Sequence, residues 1–157
     1  MPKYSIIVPV HNSATFMQKC LESVTSQTYR DFELIVVCDA CTDDSWRVAM
    51  EYADQVLTTN FGNAGPPRSA GLDVARGDWI LFLDDDDWWM HEYTLDIINT
   101  ALGNELGFDI LLFGFIFRTR GYASPIRQNG SIWPAVWNKC YRRYFIKDTP
   151  FRSIQPT

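Results

Sequence analysis

Four consecutive carboxylates, Asp84 to Asp87, follow directly on an apolar run, Trp79-Ile80-Leu81-Phe82-Leu83, in a chain of 157 residues. Like charges packed this closely repel one another unless a cation or a set of hydrogen-bond donors offsets them. Asp84 and Asp86 lie two apart, so in an extended segment they share a face. One could then take a ribose hydroxyl and the other a metal ion. Magnesium or manganese is satisfied by few carboxylates when phosphate oxygens complete its shell. The alternative is a solvated acidic turn.

Three further polar clusters bear on that choice. A backbone acceptor at Pro9 or Val10, with the carboxylate of Asp39, could read the polar edge of a flat heterocycle such as uracil. Asp39 could instead cap the turn that follows it. Arg68 stands behind a Gly-Pro-Pro turn at the start of an expected helix. A guanidinium beside helix N-terminal amides suits a base carbonyl or a diphosphate, and its alternative is an ion pair with an Asp. Cys38 and Cys41 form a C-x-x-C, which reads as a redox pair or half a zinc site. For zinc, the remaining candidates Cys20, Cys140, His11 and His91 show no paired ligand spacing. The cysteines are therefore expected as free thiols.

The elements that must position these groups alternate. Residues 4–10 (YSIIVPV) and 32–38 (FELIVVC) read as buried strands, 55–59 as a short third strand, and 79–83 as a fourth. Helices are expected from Ser13, as a cap, to about Gln27, over Asp43–Tyr52, over Arg68–Ala75 ended by Gly77, and over Glu92–Leu102. Residues 108–117 read as another strand, 121–131 as loop and 134–144 as a helix. This rhythm predicts an α/β fold, a largely parallel sheet with helices on both faces. His11-Asn12, Asp39, 60–68 and Asp84–Asp87 all follow strand C-termini. They should gather along the edge where such sheets bind ligands. A nucleoside, a diphosphate and a metal form a consistent set there.

Composition sets the outer limits. The chain is 46% hydrophobic and 21% charged, ordinary for one globular domain. It has no apolar stretch long enough to span a membrane, and MPKYSIIVPVHN is too short in its apolar run for a secretory signal. A cytoplasmic location is expected, with no nucleic-acid partner; the sequence leaves the oligomeric state open. The net charge is −5, but from Arg118 onward eight Lys/Arg face only Asp148, giving +7 and leaving −12 for the rest. The basic C-terminal part is a candidate for an anionic ligand or for peripheral contact at the inner face of a membrane. A nucleotidyltransferase would show a Gly-rich phosphate loop after the first strand, and VPVHNSATF has none.

Taken together, four segments resemble the family-two inverting glycosyltransferases of the GT-A fold. IIVPVHNSATFMQKCLESVTSQTYRDFELIVV is similar to the family's first β-α-β unit, with His11 where Tyr is usual. CDACTDDS resembles its D-D-G-S-T-D-G-S turn, Cys38 replacing the first Asp. NFGNAGPPRSAGLDVARGDWILFLDDDD resembles its N-x-G-x-x-x-A-R-N-x-G-L segment and D-x-D motif, and VWNKCYRR its W-x-K-L-Y-R stretch. The resemblance implies a three-layer GT-A sheet. It implies a nucleotide-binding set of Pro9, Val10, Asn12, Asp39, Arg68, Asp84 and Asp85. Within that set Pro9, Asp39 and Arg68 hold the base, Asp84 contacts the ribose and Asp85 supports. Asp86 would ligate Mn2+ or Mg2+.

The implied reaction moves a sugar from a nucleotide-diphosphate donor, a UDP-sugar, to an acceptor hydroxyl with inversion. The acceptor would be a saccharide or lipid-linked, in surface polysaccharide or glycoconjugate synthesis. The family's general base comes from an acidic motif past the W-x-K-L-Y-R stretch, and here only Asp148 follows Asp109 among the acids. The expectation is a single domain, 1–157, with a donor-binding core over 1–117 and a partial acceptor-side region over 118–157. The catalytic base would then lie beyond Thr157. The alternative is a module that binds nucleotide sugar and metal without transfer.

Overall fold

The computed structural model describes residues 1–63, 65–103, 110–112, 115–117, 122–124 and 139–147. Its centre is a six-stranded sheet of order β3-β2-β1-β4-β8-β5. These strands are β1 (Tyr4–Val10), β2 (Phe32–Asp39), β3 (Gln55–Thr59), β4 (Trp79–Phe82), β5 (Ile110–Leu112) and β8 (Lys139–Arg142). A separate two-stranded ribbon pairs β6 (Phe115–Phe117) with β7 (Tyr122–Ser124). β1 runs parallel to both β2 and β4, and β2 parallel to β3. β8 enters antiparallel between β4 and β5. The sheet is mixed at this side rather than parallel throughout.

Alternation along the strands divides the core into two layers. One face carries Tyr4, Ile6, Val8, Val10, Leu34, Val36 and Leu81, covered by α1 (Met17–Thr25), α2 (Ser45–Tyr52) and α4 (Thr94–Gly103). The other carries Ile7, Ile35, Val37, Ile80 and Phe82, covered by Leu72 of α3 (Gly65–Val74) and Ile146 of the short α5 (Arg143–Ile146). Burial of each such side chain contributes roughly 1.5–3 kcal/mol. With α1 projecting Met17, Cys20, Leu21 and Val24 at helical spacing, its apolar stripe meets the first face. Among the described residues no helix is long and apolar enough to cross a membrane.

Three expectations are corrected. Residues 139–142 are strand, not helix; 134–138 lie outside the described residues. Cys140 and Tyr141 are buried opposite Leu81 and Ile80, and the free edge of β4 is worth more to them than a local helix. The single strand over 108–117 is two, β5 and β6, in different sheets. The loop over 121–131 contains β7, and its other residues lie outside those described. Helix ends also shift: α3 begins at Gly65, since Pro66 and Pro67 fit a first turn, whose N–H groups need no helical partner.

Gly77 does more than end a helix. A Cβ there would lie 2.5 Å from the Ser5 amide nitrogen and 2.6 Å from the Tyr4 carbonyl carbon. Its amide donates to Ser5 Oγ at 2.8 Å, and that hydroxyl donates to Glu33 Oε1 at 2.6 Å. Arg76 adds its amide and its guanidinium to the same Glu33 carboxylate. The cluster fixes the entry of β4 beside β1 and β2, and so fixes where β4 ends.

Candidate functional site

At the C-terminal ends of β1, β2 and β4 a cleft of about 420 Å3 opens. It is lined by Pro9, Val10, His11, Ser13, Asp39, Gly62, Asn63, Pro67, Arg68, Asp84, Asp85 and Asp86. Seven of the eight residues singled out from the sequence therefore line one cavity. Asn12 is not among the lining residues. With φ +52° it turns its side chain back, and its Oδ1 accepts from the Thr42 amide at 2.8 Å, bracing the β2–α2 loop from behind.

Asp39 is 4% exposed at the end of β2. Its Oδ1 accepts from Thr59 Oγ1 at 2.8 Å and from the Phe61 amide at 2.7 Å, and its Oδ2 from the Gly62 amide at 2.8 Å. Burial works to raise its pKa, but the Phe61, Thr59 and Gly62 donors outweigh it and hold the carboxyl below the usual range. The turn it caps is thus the one after β3, not the one that follows Asp39 itself. A carboxylate has roughly four acceptor positions; three are used here, and the remaining one is on Oδ2. Beside it, His11 Nδ1 lies 2.7 Å from the Asp39 carbonyl oxygen, which makes Nδ1 the protonated nitrogen.

Across the cleft, Arg68 in the first turn of α3 forms an ion pair with Asp84. The side chains are 13% and 29% exposed. The guanidinium thus meets an aspartate, and that aspartate is the residue expected to face a ribose. Asp85 accepts a hydrogen bond from the Ser13 hydroxyl. Asp86 is exposed at the cleft and makes no hydrogen bond with the described residues. Asp87 closes a turn through its amide to the Asp84 carbonyl at 3.0 Å. Burial, then the charges of Asp86, Asp84 and Asp85, push its carboxyl up to about 6. Burial, with the charges of Asp86 and Asp84, also raises Asp85, against the Ser13 hydroxyl and the His11 amide.

Among the described residues no three His, Cys, Asp or Glu side chains gather as a metal cage. The donor set is therefore one exposed carboxylate, Asp86, in a strand end carrying uncompensated negative charge. That fits a hard cation completed by phosphate oxygens, and does not fit zinc held by protein alone. All four cysteines are free. Burial, followed by Cys41 and Asp43, pushes the Cys38 thiol up to about 12, the opposite of what a reactive thiol needs.

His11 and the 60–68 loop, with Gly62, Asn63 and Pro67, were expected at this edge as clusters though not as individual site residues; Ser13 was expected only as a helix cap and is the lining residue that sequence reasoning missed. Its signal was position, next to Asn12 in the loop after the first strand. Ser13, expected as a cap, accepts the Phe16 and Met17 amides through its carbonyl, leaving its hydroxyl for Asp85. Of the positive residues in the C-terminal part, Arg142 and Arg143 adjoin the start of β4, the opposite end from the cleft.

The sequence matches the family described as Glycosyl transferase family 2 over residues 5–154. It is 34% identical to the poly(ribitol-phosphate) beta-N-acetylglucosaminyltransferase TarS of Staphylococcus aureus, over 94% of this chain and 29% of that protein. It is 32% identical to glycosyltransferase GlyA of Streptococcus pneumoniae, over 95% of this chain and 26% of that protein. Crystal structures of S. aureus TarS 1–349 superpose with TM-scores of 0.80 for the complex with UDP and 0.78 for that with UDP-GlcNAc. Identity is 28% in both, over 93% of this chain and 48% and 47% of the solved ones. The chain thus spans less than half the length of these relatives.

Proposed function

This chain belongs to glycosyl transferase family 2 and has the GT-A α/β fold, and on that premise we propose that its cleft holds the nucleoside diphosphate of a sugar donor, a UDP-sugar. The observation that carries the reading is the single acceptor position left on Asp39 Oδ2, across a 420 Å3 cleft from Asp84 and Asp86. A uracil edge offers one N–H between two carbonyls and matches one acceptor. A guanine edge offers two adjacent donors, and the second would be left unpaired at a cost of about 1–3 kcal/mol. Pro9 and Val10 flank the base. Asp84 takes the ribose, exchanging part of its pairing with Arg68, whose guanidinium then faces the base or the diphosphate. Asn12 and Asp85 hold the loops that carry these groups. The UDP and UDP-GlcNAc complexes of TarS support this donor class.

Asp86 is the ligand we assign to Mn2+ or Mg2+, which when bound would offset the charge of the departing diphosphate. The reaction proposed is attack by an acceptor hydroxyl on the anomeric carbon with inversion, in polysaccharide or glycoconjugate synthesis. The acceptor is a saccharide or a lipid-linked saccharide. Residues 1–117 supply the donor side and 118–157 part of the acceptor side. The face carrying Arg142, Arg143 and Lys147, with exposed Tyr144 and Phe145, is the described surface suited to peripheral membrane contact.

Thermal unfolding with UDP, dTDP and GDP, each with Mn2+ and with EDTA, tests the donor assignment. UDP with Mn2+ should raise the midpoint most. dTDP should follow, lacking one ribose hydroxyl, and GDP should do least. At 100 times its dissociation constant a ligand adds ~2.7 kcal/mol, an easily read shift. Equal responses to UDP and GDP, or none to any nucleotide, would overturn the assignment.

A further inference from the structure

Ser13 stands where three strand-end loops meet. Its amide donates to Ser45 Oγ at 2.9 Å, and that hydroxyl, fully buried, donates to Asp43 Oδ1 at 2.5 Å. Asp43 Oδ2 in turn accepts from the Ala14 amide at 3.0 Å, next to Ser13. Asp43 and Ser45 therefore clamp the backbone on both sides of the Ser13 Cα. The Ser13 hydroxyl, not used as a helix cap, donates to Asp85 Oδ2. A continuous chain of hydrogen bonds thus runs from the loop after β2, through the loop after β1, to the middle of the aspartate cluster.

We propose that Ser13 is a positioning residue: it ties the Asp85 carboxylate to the α1 side of the cleft wall, as Arg68 ties Asp84, so that of the three lining aspartates Asp86 is the one left to meet a cation. This rests on the assignment of Asp86 to a divalent cation. The physical reason is competition. Asp84 and Asp86 alternate with Asp85 along the chain, and four adjacent carboxylates have no intrinsic preference for which of them meets a cation. A hydroxyl donor tied down by a buried clamp supplies that preference. Outer partners that orient a metal ligand directly are typically worth ~10–100-fold in metal affinity; Ser13 acts one carboxylate away, by holding off a competitor, and belongs at the lower end of that range. Thr keeps the donor, whereas Ala removes it and leaves the Asp85 carboxylate only the His11 amide, a looser hold on its charge.

Titration calorimetry with UDP, in Mn2+ and in EDTA, distinguishes this role from simple support of the fold. Ser13→Ala should lose about tenfold in UDP affinity with Mn2+ and nothing in EDTA. Ser13→Thr should retain the wild-type value. Asp85→Asn, placed on Ser13→Ala, should restore much of the loss, because the loosened side chain no longer carries a charge. If Ser13→Ala does not fold, Ser13→Cys, a much weaker donor of similar size, takes its place with the same expectations. Wild-type affinity in Ser13→Ala, an equal loss with and without Mn2+, or no rescue by Asp85→Asn would each overturn the inference alone. A wild-type protein whose UDP binding ignores Mn2+ would overturn the metal assignment and this inference with it.

Discussion

Asp87 carries a charge that the strand end does not offset. Its carboxyl titrates at about 6 in the folded chain against an ordinary 3.8, through burial first and the charges of Asp86, Asp84 and Asp85 after it. A folded pKa above the unfolded one means the native state binds the proton more tightly. The stabilising effect is fully present below about pH 4 and is lost as pH rises through about 6. Asp87→Asn, which stays neutral, should therefore raise the melting temperature at pH 7.5 and leave it nearly unchanged below pH 4. A melting series across that range checks both limbs, and a pH-independent shift would assign the effect to packing instead. Ala40 is a second residue under strain, at φ +50° beside Asp39, with its amide donating to the Thr59 carbonyl at 2.8 Å. An L-residue pays about 1–2 kcal/mol in that region and glycine almost nothing. Ala40→Gly should stabilise the protein by about 1 kcal/mol, read from denaturant midpoints; a loss of stability would show that the Ala40 methyl is packing.

At the scale of elements, the strands that build the cleft were legible because their signals are local. β1 and β2 are buried β-branched runs, and α1 shows its stripe at helical spacing. β8 was not legible. Residues 139–142 carry no strand pattern of their own, and their pairing is decided by the open edge of β4 some sixty residues earlier. The split of 108–117 into β5 and β6 is likewise a choice between two sheets, which no periodicity encodes. Arg68 was legible as a charged group opening a helix, but not that Asp84 would meet it, since sixteen residues and two elements separate them. The helix α3 also hides its reason for Gly77, which is a backbone approach rather than a helix stop. Gly77→Ala would drive a methyl against the Ser5 and Tyr4 main chain, neither of which can move without breaking β1. It should cost about 3 kcal/mol or more, measured by denaturant unfolding. Near-wild-type stability would mean that β4 can slide relative to β1.

For the whole molecule, two buried layers fix one sheet, and the sheet fixes one edge at which the loops after β1, β2, β3 and β4 converge on a single cleft. The polar side chains there already hold partners: Asp39 has the Thr59 hydroxyl and the Phe61 and Gly62 amides, Arg68 has Asp84, and Ser13 has Asp85. Asp86 is the exception, exposed and without such a bond among the described residues. The central claim is that this exposed carboxylate recruits the cation through which a nucleoside diphosphate is held. Titration calorimetry of Mn2+–UDP into the wild type, Asp86→Asn and Asp84→Asn tests it most directly. Asp86→Asn should lose most of the metal-dependent affinity, since an amide oxygen is a far poorer ligand for a hard cation than a carboxylate. Asp84→Asn should lose less, because an amide still hydrogen-bonds a hydroxyl. Equal binding of Mn2+–UDP by all three proteins would contradict the account and leave the aspartates an acidic turn.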